Sequence, residues 1–209
     1  MAERHQRLFE SVATVLLAIA TVATAWSGYQ ASRWHGKQAV AFSTANATRI
    51  ESARSAGVAN RQIQIDVATF IQFVDAYATG ESELAAFYRA RFRPEFKPAV
   101  EAWIATEPLK TEGAPQTPFA MPEYTLAEST RSEELDRTAT AAAALARVDI
   151  QRADNYVLCA VLFAAVLFFA GFATRLQGQG PRLAVLGIGA AMFVGTLVWM
   201  ATFPISVGV

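Results

Sequence analysis

The chain has 209 residues, no formal net charge, and 53% hydrophobic against 17% charged residues. Balanced charge gives no support for nucleic-acid binding. The charged share is low for a soluble domain, and the deficit lies in three stretches, 8–30, 155–174 and 183–203, each long enough to cross about 30 Å of hydrocarbon.

The first stretch opens with Arg4 and Arg7, and with Ala23-Thr24-Ala25 it imitates a secretory leader and its cleavage site. Helical patterning runs straight through that site, so a retained signal anchor is expected. Ser11, Thr14, Ala18, Thr21, Ala25 and Gly28 follow alternating steps of three and four, which sets them on one helix face. Small residues let helix backbones approach closely in lipid. Such a face can pack against the other two spans, form a self-association seam, or line a hydroxyl-rich conduit.

Trp26, Tyr29 and Trp34 mark a membrane–water boundary, and Tyr156 and Trp199 fit the same one. This placement puts the N-terminus and the loop between Arg175 and Arg182 in the cytoplasm and the middle region outside it. Arg4, Arg7, Arg175 and Arg182 then satisfy the positive-inside tendency, although Arg33, Lys37, Arg147 and Arg152 flank the opposite ends.

Neither Pro nor a Gly-rich turn interrupts the chain between Tyr29 and Gly80, so one helix should leave the membrane and continue as an amphipathic rod. Its stripe is expected at Ile63, Val67, Phe70, Val74 and Tyr77, and continued backwards it meets Asn60, Arg49 and Asn46. Polar residues on such a seam fix register at some cost in stability; a buried polar pocket is the alternative. A helix over 81–92 should stop before Pro94, and Pro98 should open another over 98–106. The run from Phe87 to Lys97 interleaves rings with bases. Either it binds an anionic partner or lipid headgroups, or its rings cap a helical domain while its arginines point to water or pair with Glu81, Glu83, Glu95 and Glu101. Pro108, Pro115, Pro118 and Pro122 make 107–123 irregular, with Phe119 and Met121 pinning the loop.

A second long helix should return from about residue 123. Leu135, Ala139, Ala142, Ala146, Asp149, Ala153 and Tyr156 share one of its faces. Antiparallel pairing should bring Asp149 to Arg33, His35 or Lys37, because a carboxylate on an alanine seam needs a partner. The cluster of Arg33, His35 and Asp149 is a register clamp or a pH-sensitive hinge in which His35 titrates. Gly178, Gly180 and Pro181 should form a tight turn. On the third span Gly187, Ala191 and Gly195 recur every four residues as another close-packing face, and Pro204 ends the span.

Catalytic signatures are missing. His5 and His35 lie far apart with no metal-spaced carboxylate motif, and no Walker loop, Gly-x-Ser-x-Gly elbow or Cys-x-x-Cys pair occurs. Cys159 is the single cysteine and sits in an apolar stretch, so no intrachain disulfide forms. No ionisable residue lies deep in a span, where proton and ion pathways usually show one. No catalytic residue, cofactor or metal is expected.

The run from Ala23 to Trp34, with Phe119-Ala-Met-Pro-Glu-Tyr124 and Asp154-Asn-Tyr-Val-Leu158, resembles a family of uncharacterised small bacterial inner-membrane proteins. Their organisation is one N-terminal span, a helical middle and two C-terminal spans. The resemblance implies a bacterial inner-membrane location and carries no activity. The expected architecture is an all-α membrane protein with three transmembrane helices, two of them continuing into a long helical extramembrane domain. The divisions are 1–30, 31–154 and 155–209. The expected role is a non-catalytic scaffold or accessory subunit that forms a homo-oligomer or joins another membrane protein. An oligomeric pore lined by the Ser/Thr face and a ligand-sensing helical domain are the alternatives.

Overall fold

The structure is a computed structural model that describes residues 2–207, with side chains from residue 9 onwards. Arg4, His5 and Arg7 therefore lie outside the described side chains. Among the described residues five α-helices follow in order: α1 Ala2–Thr79, α2 Ser82–Arg91, α3 Lys97–Ala105, α4 Ala127–Ala173 and α5 Gln179–Met200, with a short 3-10 turn at Pro118–Ala120. No strand occurs among the described residues. Three helices, α1, α4 and α5, are long and apolar enough to cross a membrane. The protein is an all-α chain with three membrane-type helices.

The chain divides into two compact units, residues 1–44 with 142–209 and residues 45–141. The division falls within α1 and α4, some way beyond the membrane boundaries expected near 30 and 154. No backbone feature marks it, since each helix passes through unbroken.

The first unit holds three apolar segments. On α1 the buried positions Ala13, Ala20, Ser27 and Trp34 stand seven residues apart. That 3.5-residue repeat is the signature of left-handed helix pairing. Facing residues come from α4 (Ala153, Tyr156, Cys159, Phe163, Ala170 and Ala173) and from α5 (Leu186). Gly178 takes a positive φ of 92° and lets the chain reverse before α5. Gly180 and Pro181 are not part of that turn; they already sit in the first turn of α5, where Pro lacks an N–H that would go unused. The helix ends at Met200, three residues before the expected stop, and residues after it fold back. The Ser206 N–H donates to Gln30 Oε1 at 2.9 Å.

The second unit is built on rings. Phe70 and Phe73 of α1 pack with Phe92, Phe96 and Trp103, and Phe119 and Tyr124 close the cluster. Phe96 stacks on Phe119 at 5.2 Å and meets Tyr124 edge-on at 5.6 Å. Each buried ring contributes roughly 1.5–3 kcal/mol by burial, and favourable ring pairs add about 0.5–1.5 kcal/mol. Gly80, at φ +80°, closes α1: the Glu81 N–H reaches back to the Ala76 carbonyl at 2.9 Å. Phe92 is extended ahead of Arg93-Pro94, which stops α2 as expected. Trp103 donates its indole N–H to the Pro115 carbonyl at 2.7 Å, and with Phe119 this pins the Pro-rich loop.

Candidate functional site

Three places in the molecule concentrate chemistry, and the first is a buried ion network in the second unit. Asp66 lies on the inner face of α1 with its side chain 1% exposed. Periodicity puts it there: Ala45, Ser52, Ala59, Asp66 and Phe73 recur every seventh residue, and all five are buried. Arg93 grips the carboxylate through two nitrogens, Nε to Oδ1 at 2.9 Å and Nη2 to Oδ2 at 3.0 Å. The Tyr124 hydroxyl adds a third donor to Oδ2 at 3.1 Å. The remaining arm of Arg93 goes to Glu95 Oε2 at 2.7 Å. One residue each from α1, the α2–α3 link and the approach to α4 thus meet at one carboxylate.

The network is electrostatically settled. The hydrogen bond to Asp66 holds Arg93 above the ordinary arginine range, so it stays charged. Burial, and then the charge of Asp66, push the Tyr124 hydroxyl above the ordinary tyrosine range, so it stays a donor. Removing one partner of such a buried pair costs about 3–5 kcal/mol, because the survivor is left uncompensated. The geometry clamps three segments; it presents no free nucleophile or base.

The expected stripe holds at Phe70, Val74 and Tyr77, which pack into the ring cluster, and fails further back along α1. Asn46, Arg49 and Asn60 are exposed, as are Ile63 and Val67. The inner column is Ala45, Ser52, Ser55 and Ala59, small enough for a neighbouring helix to come close. Ser52 Oγ donates to the Ser132 carbonyl of α4 at 2.9 Å there, and Arg131 pairs with Glu51 at 2.6 Å. The ring-and-base run divides as its packing alternative required: Phe92 and Phe96 are buried, Arg89 pairs with Glu101, and Arg91 lies over Phe87 at 3.5 Å. Arg93 pairs with Glu95, one of the expected partners, and also with Asp66.

The second place is the first unit near residues 30–37 and 149–156. Asp149 accepts from Arg152 Nη1 on its own helix at 3.0 Å. The expected cluster of Arg33, His35 and Asp149 does not assemble: no ion pair joins Asp149 to Arg33, His35 or Lys37 among the described residues, and His35 is exposed. Trp34 takes the central position instead. Lys37 Nζ lies 4.5 Å and the Arg152 guanidinium 4.6 Å from its ring centroid. The face of a tryptophan ring attracts cations. Gln30, Trp34 and Ser206 are buried, yet Gln30 Nε2, Trp34 Nε1, Ser206 Oγ and the half-buried Arg33 Nε meet no partner among the described residues. A shielded donor left unpaired costs about 1–3 kcal/mol.

The third place is the pair of small-residue faces on the spans. Ser11, Thr14, Ala18, Thr21 and Ala25 are all exposed, and so are Gly187, Ala191 and Gly195. Packing of the first face against the chain's other two spans is thereby overturned. The contact face is the adjacent column of Ala13, Ala20, Ala23 and Ser27. A methyl placed on Gly187 or Gly195 meets nothing within 4 Å, whereas on Gly189 it comes within 3.3 Å of Phe169 Cβ. Gly189, which sequence spacing passed over, is the glycine that lets α5 approach α4. Thr14 and Thr21 return their hydroxyls to the Glu10 and Leu17 carbonyls at 2.8 Å.

No protein-family profile, curated protein or solved structure matches the chain.

Proposed function

We propose that this protein is a non-catalytic membrane scaffold or accessory subunit that self-associates through the small-residue faces of α1 and α5. One observation carries the proposal. The residues best suited to close helix packing, Gly187, Ala191 and Gly195, are uncovered, while intrachain packing uses Gly189 and the alanine column of α1. In lipid, association depends on close backbone approach and not on hydrophobic burial, so an open small face is a surface for another helix. The threonine hydroxyls on α1 are already bonded to their own backbone, which favours a dry seam over a water-lined pore. The ring-filled interior of the second unit suits a rigid presenting domain better than a ligand-sensing one.

The test is oligomeric mass in lipid nanodiscs. Gly187→Leu with Gly195→Leu should reduce the assembly to smaller species while thermal stability of the protomer holds. Unchanged mass in the double variant would remove the basis for the scaffold reading.

The proposed placement is a bacterial inner membrane with the N-terminus cytoplasmic and the second unit outside. Single cysteines at Gly113 and Gln179 in a Cys159→Ala background, probed with an impermeant thiol reagent, check it. Labelling at Gly113 alone is expected, and labelling at Gln179 alone reverses the topology.

A further inference from the structure

We propose that Arg33, Trp34 and Lys37 of α1 and Arg152 of α4 form a binding site for the phosphodiester group of an anionic phospholipid at the membrane boundary. The chemistry of this group of side chains is one-sided. Arginine, lysine and the indole nitrogen only donate. Trp34 Nε1 and Arg33 Nε are shielded from solvent and meet no acceptor among the described residues. The missing complement is an acceptor, and the local charge says that it is an anion. Four bases, Arg33, Lys37, Arg147 and Arg152, stand in this band against two acids, Asp149 and Asp154. Asp149 is already engaged by Arg152 at 3.0 Å.

Position selects the anion. Trp26 and Tyr29 form an exposed ring pair, with centroids 5.8 Å apart, one to two turns before Trp34 on the same helix. Amphipathic rings of this kind settle at headgroup depth, which sets the bases within reach of lipid phosphates. Arg and Lys beside a phosphate make charge-assisted hydrogen bonds, and bases just outside a span attract anionic lipid. Lys37 and Arg152 lie over the Trp34 ring as long, flexible arms. Lys37, which has no ion-pair partner among the described residues, can swing from the ring to a phosphate, while Arg152 adds its charge from beside Asp149. The inference is independent of the scaffold proposal and requires only that α1 spans a membrane.

Full-length protein, stripped of lipid in a neutral detergent, is titrated with phosphatidylglycerol, phosphatidylcholine or inorganic phosphate, and bound molecules are counted by native mass spectrometry. Phosphatidylglycerol should bind at least about fivefold more tightly than phosphatidylcholine, and inorganic phosphate should not displace it. Arg33→Gln with Lys37→Gln should weaken that binding about tenfold. Arg49→Gln with Arg54→Gln makes the same charge change on exposed positions elsewhere along α1 and should leave it unchanged. Trp34→Phe keeps a ring and deletes the N–H, so it should weaken binding about threefold, and it carries the test if the double variant melts early. Equal affinity for the two lipids, or equal losses in the two double variants, overturns the site. Displacement by inorganic phosphate overturns the lipid assignment and leaves a free-anion site.

Discussion

The two units solve the same packing problem with different proportions of rings and small residues. Both use a seven-residue column on α1, yet in the first it reads Ala13, Ala20, Ser27, Trp34 and in the second Ala45, Ser52, Ala59, Asp66, Phe73. In the first unit, small residues and Gly189 bring helices together, and large apolar side chains such as Val22, Val161 and Phe168 face outwards. In the second, large rings go in and the last turns of α1 are secured by an ion network. The difference follows from solvent. Water drives rings inward, whereas lipid offers Val and Phe no worse a home than protein does and leaves close contact as the main attraction.

Removing what the second unit depends on should therefore have the largest effect. Phe96→Ala takes a fully buried ring from the centre of the cluster and should cost about 3–5 kcal/mol, read by denaturant unfolding. Asp66→Ala should cost a similar 3–5 kcal/mol, because Arg93 loses its main partner. A loss below about 1 kcal/mol in both would end the contrast between a ring-built and an alanine-built unit. In the first unit the sensitive change is an addition. Gly189→Leu should destabilise it by about 1–3 kcal/mol through overpacking against Phe169, visible as a lower melting temperature in lipid.

Smaller effects sharpen the account of Asp66. Tyr124→Phe removes one of three donors and should cost about 1.5–3 kcal/mol at neutral pH. The folded state raises the Tyr124 pKa, so its contribution is full below about pH 10, where an unfolded tyrosine titrates, and is lost as pH rises beyond that. The wild-type protein should lose stability above about pH 10, and Tyr124→Phe should flatten that alkaline limb. A limb of equal steepness in the variant would show that Tyr124 stays clear of the transition. Smallest of all is the exposed pair of Arg131 and Glu51: Arg131→Gln should change stability by less than about 1 kcal/mol.

Much of the fold was legible because helices announce themselves by continuity. The absence of Pro and of Gly-rich turns between Tyr29 and Gly80 gave α1 its length, and Gly80 and Pro94 gave the stops. The inner face of α4 was read correctly: Ala139, Ala146, Ala153 and Tyr156 are buried on it. On α1 the expected stripe holds at Phe70, Val74 and Tyr77 but lies one column off before them, because Ile63 and Val67 are the bulky apolar residues there while the interface over 45–59 takes Ala and Ser. Asp66 was missed for a related reason. Its partners lie 27 and 58 residues away, and no local pattern announces a pairing at that separation. The ladder from Ala45 to Phe73 held the available signal. Asp149 was correctly placed on the α4 face but assigned the wrong partner, since Arg152, three residues on, reaches it within one helix.

The most direct test of the central claim is cysteine cross-linking along α5 in native membranes, with Cys159→Ala as background. Single cysteines at positions 186 through 196 are oxidised and the covalent dimer is measured. The account predicts a four-residue rhythm with maxima at Gly187, Ala191 and Gly195 and a minimum at Gly189. Maxima at Leu186, Gly189 or Thr196, the positions now covered within the protomer, would contradict it.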